Sequence, residues 1–269
     1  MGIINITPDS FYDGGMYKTS DEAVEKAIQL VKEGADIIDI GGESTRPGAL
    51  PVNEEEELKR VLPVIKKFRE IDNKTPISID TYKSNVAEQA ILNGADIIND
   101  ISGGTFDEKM IKIVAKYNCS YIIMHINGQP LNMQQNPIYS EKGVVFDIKE
   151  FFLKQIKKIN DNGISTDKII LDPGIGFGKS LYDNLKILNN LSEFKSLGYP
   201  ILIGTSRKSF IGNILNKPPE DRLYGTIASV VLSIINGASI VRVHDVKAIK
   251  DAVLVTDKIL QNKKISMVN

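Results

Sequence analysis

Side chains that can bind polar ligands stand at the ends of several apolar runs in this chain. Asp80, Asn99 and Asp172 each end a short run dominated by isoleucine, and Lys208 follows another such run. Runs of this kind are typical of strands that are covered on both faces, as in parallel sheets. Polar groups that end parallel strands lie together at the carboxyl edge, where barrel enzymes build their sites. The pattern therefore indicates an enzyme.

A basic pair ends the last apolar run. Arg242 and His244 are two residues apart, so they project to the same side of a strand. A lone histidine on a strand is more often structural, but an arginine beside it at the rim of a barrel favours an anion-binding role. The pair therefore predicts a site for a negatively charged group.

The apolar runs alternate with helical patterns of suitable length. The runs are Ile3–Thr7, Asp36–Asp39, Ile77–Asp80, Asp96–Asn99, Tyr121–His125, Ile169–Asp172, Ile201–Gly204 and Ile240–His244. A Gly-Ala pair ends a helix and leads into a strand at Gly34, at Gly94 and again at Gly237. Repeated strand–helix units without a linker-like tract favour a closed barrel over an open sheet. We therefore predict one (β/α)8 TIM-barrel domain over residues 1–269.

Composition excludes several classes of function. The formal net charge is −1, from 33 basic and 34 acidic residues, so no bulk electrostatic attraction to nucleic acid or to an anionic membrane is expected. A single cysteine, Cys119, excludes an intrachain disulfide and is expected to be a buried thiol. No run approaches the ~18 apolar residues of a membrane span, and nothing resembles a signal peptide. We expect a cytoplasmic protein.

The glycine-rich segment 172–180 resembles a nucleotide-binding loop only superficially. A phosphate-binding loop would need glycine where Pro173 stands, and the dinucleotide fingerprint needs two residues between Gly176 and Gly178 where this chain has one. What remains is a backbone that can approach a flat ligand closely, with Phe177 available to pack on it.

Taken together, these motifs resemble the dihydropteroate synthase family. The segments that carry the resemblance are Met1–Phe11, Glu43–Gly48, Asp172–Lys179, Ser206–Ser209 and Arg242–Asp245. The resemblance runs in order from Met1 to about Leu260. It implies a transferase that condenses (7,8-dihydropterin-6-yl)methyl diphosphate with 4-aminobenzoate, giving 7,8-dihydropteroate and diphosphate for folate synthesis. Family members usually carry residues before the first strand, so we expect either a shortened barrel floor or a native start upstream of Met1.

The resemblance also implies a role for each matching residue. The pterin contacts are Asp80, Asn99, Ile101, Met124, Asp172, Gly204 and Lys208. The diphosphate contacts are Asn5, Thr45, Arg242 and His244, and the aminobenzoate contacts are Arg46, Pro47, Phe177 and Ser209. Asp13, Lys208, Arg242 and His244 are the expected catalytic residues, with Asp13 stabilising a cation. Asn5 is the expected protein ligand of Mg²⁺, the family is usually a homodimer, and His125 has no assigned role.

The residues fit this chemistry, and they also define the alternatives. The edge of a pterin presents N–H donors beside a carbonyl, which suit carboxylates, an amide and an ammonium. A methyltetrahydrofolate-binding methyltransferase domain would share the pterin acids but would not need the predicted anion site. A noncatalytic pterin-binding module would be expected to lose Lys208, the anion site or the loops that carry Asp13 and Arg46. A metal hydrolase barrel would need more histidines than the 2 in this chain.

Overall fold

The computed structural model describes residues 1–7 and 20–265, with side chains up to residue 262. The strands are β1 (Gly2–Asn5), β2 (Ile38–Gly41), β3 (Ile77–Asp80), β4 (Ile97–Asp100), β5 (Ser120–Met124), β6 (Ile169–Asp172), β7 (Leu202–Ile203) and β8 (Ile240–Val241). The α-helices are α1 (Ser20–Lys32), α2 (Glu54–Ile71), α3 (Ser84–Leu92), α4 (Met110–Tyr117), α5 (Val144–Asp161), α6 (Leu181–Asn189), α7 (Leu191–Lys195), α8 (Ser209–Leu215), α9 (Leu223–Ile235) and α10 (Val246–Ile265). Within the described ranges, no helix has both the length and the apolar character needed to cross a membrane.

The strands form a closed parallel ring. Strands β1 to β6 are hydrogen-bonded in chain order, and β7 pairs with β8. Two single-residue bridges complete the circle, Leu171 with Ile201 and Gly2 with Val243. The structure therefore confirms the predicted (β/α)8 barrel. The last two strands are shorter than predicted, since β8 ends at Val241 and Arg242 follows it.

The amino end of the barrel is built from the repeated glycine turns. Gly34, Gly94 and Gly237 have φ values of +102°, +109° and +113°, a conformation that side chains with a Cβ rarely adopt. Each glycine ends a helix and lets the chain enter a strand within a few residues. At Gly34 an added Cβ would also come within 2.9 Å of Lys250 Cγ, so the turn lacks room as well as conformational freedom.

The barrel interior has an apolar layer directly beneath a polar one. Met1, Ile97, Ile122 and Leu202 form a buried cluster inside the ring. Ile37, Ile170 and Ile240 pack against that cluster. Residues i and i+2 of a strand point to the same side of the sheet. The residue two positions after each of these apolar residues therefore points into the barrel as well, one layer nearer its carboxyl end. The residues in this next layer are Ile3, Asp39, Asn99, Met124, Asp172, Gly204 and Arg242.

Candidate active site

The polar layer is organised around the guanidinium of Arg242. Its Nε donates to Asp39 Oδ2 at 2.6 Å, and its Nη2 donates to Asp80 Oδ2 at 2.7 Å. Asn99 Nδ2 lies 3.3 Å from Asp39 Oδ2, so the amide joins the same network. Both carboxylates are nearly removed from solvent, and charged groups in such a place require a hydrogen-bonded counter-charge. Arg242 therefore holds the site together, in addition to the anion-binding role predicted from the sequence.

Asp80 has one carboxylate oxygen to spare. Among the described residues, Oδ1 of Asp80 is buried and has no hydrogen-bond partner. Burial raises the pKa of Asp80, and the neighbouring Arg242 opposes that shift. A buried acceptor without a donor is unfavourable in the protein alone, so it is suited to receive an N–H group from a ligand.

Asp172 and Lys208 form the other side of this layer. Asp172 Oδ1 accepts from Gly174 N at 2.8 Å, and burial raises the pKa of its carboxyl group. Lys208 Nζ donates to the Ile175 carbonyl and lies 4.7 Å from the centre of the Phe177 ring. Loss of solvent lowers the pKa of Lys208 to about 8, and Asp172 opposes that shift. The ammonium thus stands among the predicted pterin contacts, next to an aromatic face.

Small and apolar residues line the remaining predicted contacts. Ile101 directly follows β4 and Met124 ends β5, and each is only 3% exposed. Gly204 follows β7, and an added Cβ there would lie 3.9 Å from both Arg242 Cβ and Lys208 Nζ. Gly204 therefore borders the charged layer, and Ile101 and Met124 are buried at the carboxyl ends of two neighbouring strands.

His244 is neutral in this environment. Its Nδ1 lies 2.9 Å from Ser206 Oγ, and its backbone N–H donates to the same oxygen at 3.2 Å. Burial and then the charge of Arg242 lower the pKa of His244 to about 3. If Ser206 Oγ, which accepts from the backbone, donates its own proton to Nδ1, the proton of the neutral ring lies on Nε2. In that tautomer His244 can donate a hydrogen bond to an anion.

The segment after β6 is held by a buried lysine. Lys179 Nζ lies 3.0 Å from His125 Nδ1 and donates to the carbonyls of His125 and Phe177 at 3.1 and 2.9 Å. Burial lowers the pKa of Lys179 well below its usual value. Ser180 is the N-cap of α6 and forms a capping box with Asp183. The ammonium of Lys179 is thus occupied by protein groups, which argues against a phosphate-binding loop here. The same contacts give His125 a structural partner.

The other predicted contacts lie on connections and not on strands. Thr45 and Arg46 are partly buried, and Pro47 is exposed, in the segment after β2. Ser209 is exposed at the first position of α8. Asp13 lies outside the described residues. The structure thus brings the pterin contacts together and leaves the roles of the connection residues as predictions.

Asn5 offers one oxygen ligand at the end of β1. Its side chain is partly exposed, and its backbone pairs with Gly41. Within the described part of the chain, no group of three or more His, Cys, Asp and Glu side chains could hold a metal ion. Mg²⁺ commonly retains water and takes most of its remaining ligands from substrate phosphates. A single carboxamide oxygen is therefore compatible with a Mg²⁺ ion that arrives with a diphosphate.

Comparisons with known proteins agree with this geometry. A sequence profile described as pterin binding enzyme matches residues 1–244. A dihydropteroate synthase of Clostridium beijerinckii is 50% identical over 97% of this chain and 94% of its own length. The chain belongs to the dihydropteroate synthase family. A Bacillus subtilis member is 46% identical over 97% of this chain and 88% of its own length.

Solved structures of the family superpose closely on this barrel. A Yersinia pestis dihydropteroate synthase with a sulfonamide drug has a TM-score of 0.93 at 42% identity, covering 97% of this chain and 94% of its own. A Xanthomonas albilineans enzyme in complex with 7,8-dihydropteroate has a TM-score of 0.86 at 37% identity, covering 97% and 92%. Membership in the family therefore rests on both sequence and fold.

Asp39 is a site residue that the motif analysis missed. It is fully buried, and it contacts both Arg242 and Asn99. The sequence does contain a signal for it, since the segments 33–39 and 93–99 are near-repeats that align Asp39 with Asn99. A systematic comparison of these repeats would have assigned both side chains to the same layer.

Proposed function

We propose that this chain catalyses the condensation of (7,8-dihydropterin-6-yl)methyl diphosphate with 4-aminobenzoate. The products are 7,8-dihydropteroate and diphosphate. Membership in the dihydropteroate synthase family supports the reaction, and the geometry of the polar layer supports the pterin half of it. A cytoplasmic location remains a prediction from the sequence.

The free carboxylate oxygen of Asp80 is the observation that carries this proposal. The amino and ring N–H groups of a pterin need acceptors, and Asp80 Oδ1 and the Asp172 carboxylate supply them. Asn99 can donate and accept beside them, and Lys208 donates to the ring carbonyl. Because these residues are fixed on strands or packed against them, the ligand meets acceptors that need little rearrangement.

The chemistry requires a leaving group and an entering nitrogen. The C–O bond to diphosphate breaks, the resulting pterin methylene cation is delocalised over the ring, and the amino nitrogen of 4-aminobenzoate attacks it and then loses a proton. His244 donates a hydrogen bond to the departing oxygen anion, and a buried donor of this kind stabilises charge that develops in the transition state. No nucleophile of the protein is needed.

The diphosphate brings charge that the protein has to receive. Asn5 would hold a Mg²⁺ ion through its carboxamide oxygen, and the ion would supply Lewis-acid neutralisation of the leaving group. Thr45 would add a hydroxyl donor to the diphosphate, and Arg46 and Pro47 would help to hold aminobenzoate. Asp13 and Ser209 remain predicted contacts to the cation and to the aminobenzoate carboxylate.

The direct test is to incubate the purified chain with both substrates and Mg²⁺ and to detect dihydropteroate by mass spectrometry. We expect product in the complete mixture and none when 4-aminobenzoate is omitted. Pterin binding without product would favour a noncatalytic module. Methyl transfer from methyltetrahydrofolate would favour the methyltransferase alternative.

We also propose that the chain forms a homodimer through α9 and α10. The two helices pack on each other, and both expose large apolar side chains to solvent. These side chains are Tyr224, Leu232, Ile235, Leu254, Val255 and Ile259. Large exposed apolar patches on folded proteins commonly mark interaction sites, and a second copy would bury this one against itself.

Sedimentation velocity tests the dimer. We expect the mass of two chains for the unmodified protein and of one chain after Val255→Asp with Ile259→Asp. A matched control changes Tyr182→Asp and Leu185→Asp on α6, another helix with exposed apolar side chains, and should keep the dimer. A monomer before any substitution would refute this interface.

A further inference from the structure

A second buried charge cluster lies beside the polar layer, between β2, α2 and β3. Lys83 Nζ donates to the carboxylates of both Glu43 and Glu57. The side chains of Lys83, Glu43 and Glu57 are only 12%, 5% and 0% exposed. Burial raises the pKa of Glu57, and the charge of Lys83 opposes that shift. A buried group of this kind is expensive to form, so it calls for a reason beyond stability.

The cluster fixes the connection that follows β2 at both of its ends. Glu43 Oε2 accepts from Val52 N at 3.0 Å, which closes the segment 43–52 into a loop. Glu43 Oε1 accepts from Tyr82 OH at 2.7 Å, and Tyr82 itself packs edge-on against Phe106. Nearby, Arg60 Nη1 donates to the carbonyl of Gly42 at 2.9 Å, which ties the start of the loop to α2.

The loop that is fixed in this way carries Thr45, Arg46 and Pro47. Lys83, in turn, follows Asp80 by three residues in the connection between β3 and α3. The cluster therefore couples a loop assigned to aminobenzoate with the strand end assigned to pterin. Lys83 itself lies outside the polar layer, since its ammonium is taken up by Glu43 and Glu57.

We propose that Lys83 is a positioning residue for 4-aminobenzoate, acting through Glu43 on the loop 43–52. The inference rests on the proposed function, because it takes Arg46 and Pro47 to be aminobenzoate contacts. Without the ammonium, two buried carboxylates would repel each other, and Glu43 would move away from Val52 and Tyr82. The loop would then lose its geometry while Asp80, Asn99 and Asp172 stayed in place on their strands.

Steady-state kinetics of Lys83→Met test the proposal. We expect the KM for 4-aminobenzoate to rise roughly tenfold, as small displacements of a positioning group commonly cause, while the KM for the pterin diphosphate changes by less than about twofold. A general loss of structure would move both constants or lower the active fraction, and would not separate the two substrates. Equal changes in both KM values, or none, would overturn the proposal.

Two further variants keep the test decisive. Arg69→Met removes a charged tie between α2 and Asp96 at the opposite end of the barrel, and it should leave both KM values unchanged. Glu43→Gln keeps the shape of the loop anchor but removes one charge, so it serves if Lys83→Met does not fold. We expect this variant to show a smaller rise in the KM for 4-aminobenzoate, again without a change in the KM for the pterin diphosphate. An unchanged KM for 4-aminobenzoate would count against the proposal.

The same assay separates this inference from the proposed function. Absence of dihydropteroate with the unmodified protein would refute the function itself. Product formation with unchanged kinetics in Lys83→Met and Glu43→Gln would refute only the positioning role. An Arg46→Ala variant with an unchanged KM for 4-aminobenzoate would instead overturn the premise about the loop, and the positioning role with it.

Discussion

Two aspartates at β2 have opposite environments, one exposed to solvent before the strand and one buried within it. Asp36, at the amino end, is 78% exposed at its side chain and pairs with Lys250 at 2.9 Å. Asp39, inside β2 and part of the polar layer, is fully buried and pairs with Arg242 at 2.6 Å. The distances are similar, but water screens the first pair and not the second. Removing a partner should therefore have little effect at the amino end and a large one at the carboxyl end.

Strand β4 repeats the contrast. Asp96 at its amino end is 52% exposed and pairs with Arg69, whereas Asn99 at its carboxyl end is 4% exposed and joins the network of Asp39. The amino end thus combines exposed ion pairs with glycine turns, which stabilise the barrel. The carboxyl end gathers buried charges and an unpaired acceptor, a set that lowers stability and prepares the site for a ligand.

The largest expected effect comes from removing the counter-charge at the carboxyl end. In Arg242→Met, the carboxylates of Asp39 and Asp80 would both be buried without a counter-charge, so the free energy of unfolding should fall by about 3–5 kcal/mol. Urea denaturation measures this loss, and adding Asp39→Asn should recover part of it. A loss below about 1 kcal/mol, typical of an exposed pair, would mean that burial does not strengthen the ion pairs of Arg242.

Ligand binding by the same variant separates two roles of Arg242. If the guanidinium also binds the leaving group, calorimetry should show a larger loss of affinity for the diphosphate ester than for the bare pterin. Equal losses for the two ligands would mean that Arg242 acts only by holding the carboxylates.

Replacing Asp80 separates ligand binding from stability among the buried carboxylates. Asp80→Asn removes a charged acceptor for the pterin, so binding of the pterin diphosphate should weaken by about 1.5–3 kcal/mol in calorimetry. The free energy of unfolding should stay the same or rise, because a surplus buried charge is lost. Asp100→Asn is the matched control, because Asp100 is equally buried but accepts from Ser102, Gly104 and Tyr121. That variant should lose stability without a selective loss of pterin affinity, and the reverse pattern would contradict the assignment.

The sequence predicted the strand-end residues because local alternation decides them. Asn99 and Asp172 lie two positions after Ile97 and Ile170, and this spacing alone gives them their layer. Asp39 also ends its predicted run, but it was given no role, because that role depends on contacts with Arg242 and Asn99, which lie far from it in the chain.

The electrostatic state of the site could not be predicted from the sequence. Arg242 reaches carboxylates that are 203 and 162 residues away in the chain, and no local pattern reports such contacts. The neutral state of His244 likewise depends on burial and on the charge of Arg242, both of which arise only when the barrel closes. The cluster of Lys83, Glu43 and Glu57 is also assembled from separate connections.

The pH dependence of pterin binding tests a smaller effect. In the proposed complex, Lys208 would donate to the pterin carbonyl more strongly as an ammonium, and its pKa is lowered to about 8 in the free protein. Below that pH the group is charged and ready to bind, and above it the ligand must restore a proton. Affinity should therefore fall by up to about tenfold per pH unit above pH 8. Calorimetry of Lys208→Met over the same range controls for ionisation of the pterin itself, and an equal fall in that variant would exclude Lys208 as the cause.

The smallest expected change in stability comes from removing the exposed ion pair at the amino end of the barrel. Asp36→Asn removes the carboxylate that Lys250 contacts, but that carboxylate is largely exposed to water, and the neighbouring Gly34 turn is fixed by its backbone and not by the ion pair. The free energy of unfolding should fall by no more than about 0.2–1 kcal/mol, and this loss should shrink further in high salt. Both KM values should stay unchanged, because Asp36 and the polar layer lie at opposite ends of β2. Urea denaturation at two salt concentrations, together with the kinetic assay, checks each part. A loss as large as that of Arg242→Met would mean that exposed and buried ion pairs contribute equally to stability in this barrel. The assignment of the ligand site to the buried charges at the carboxyl end would then lose its main physical support.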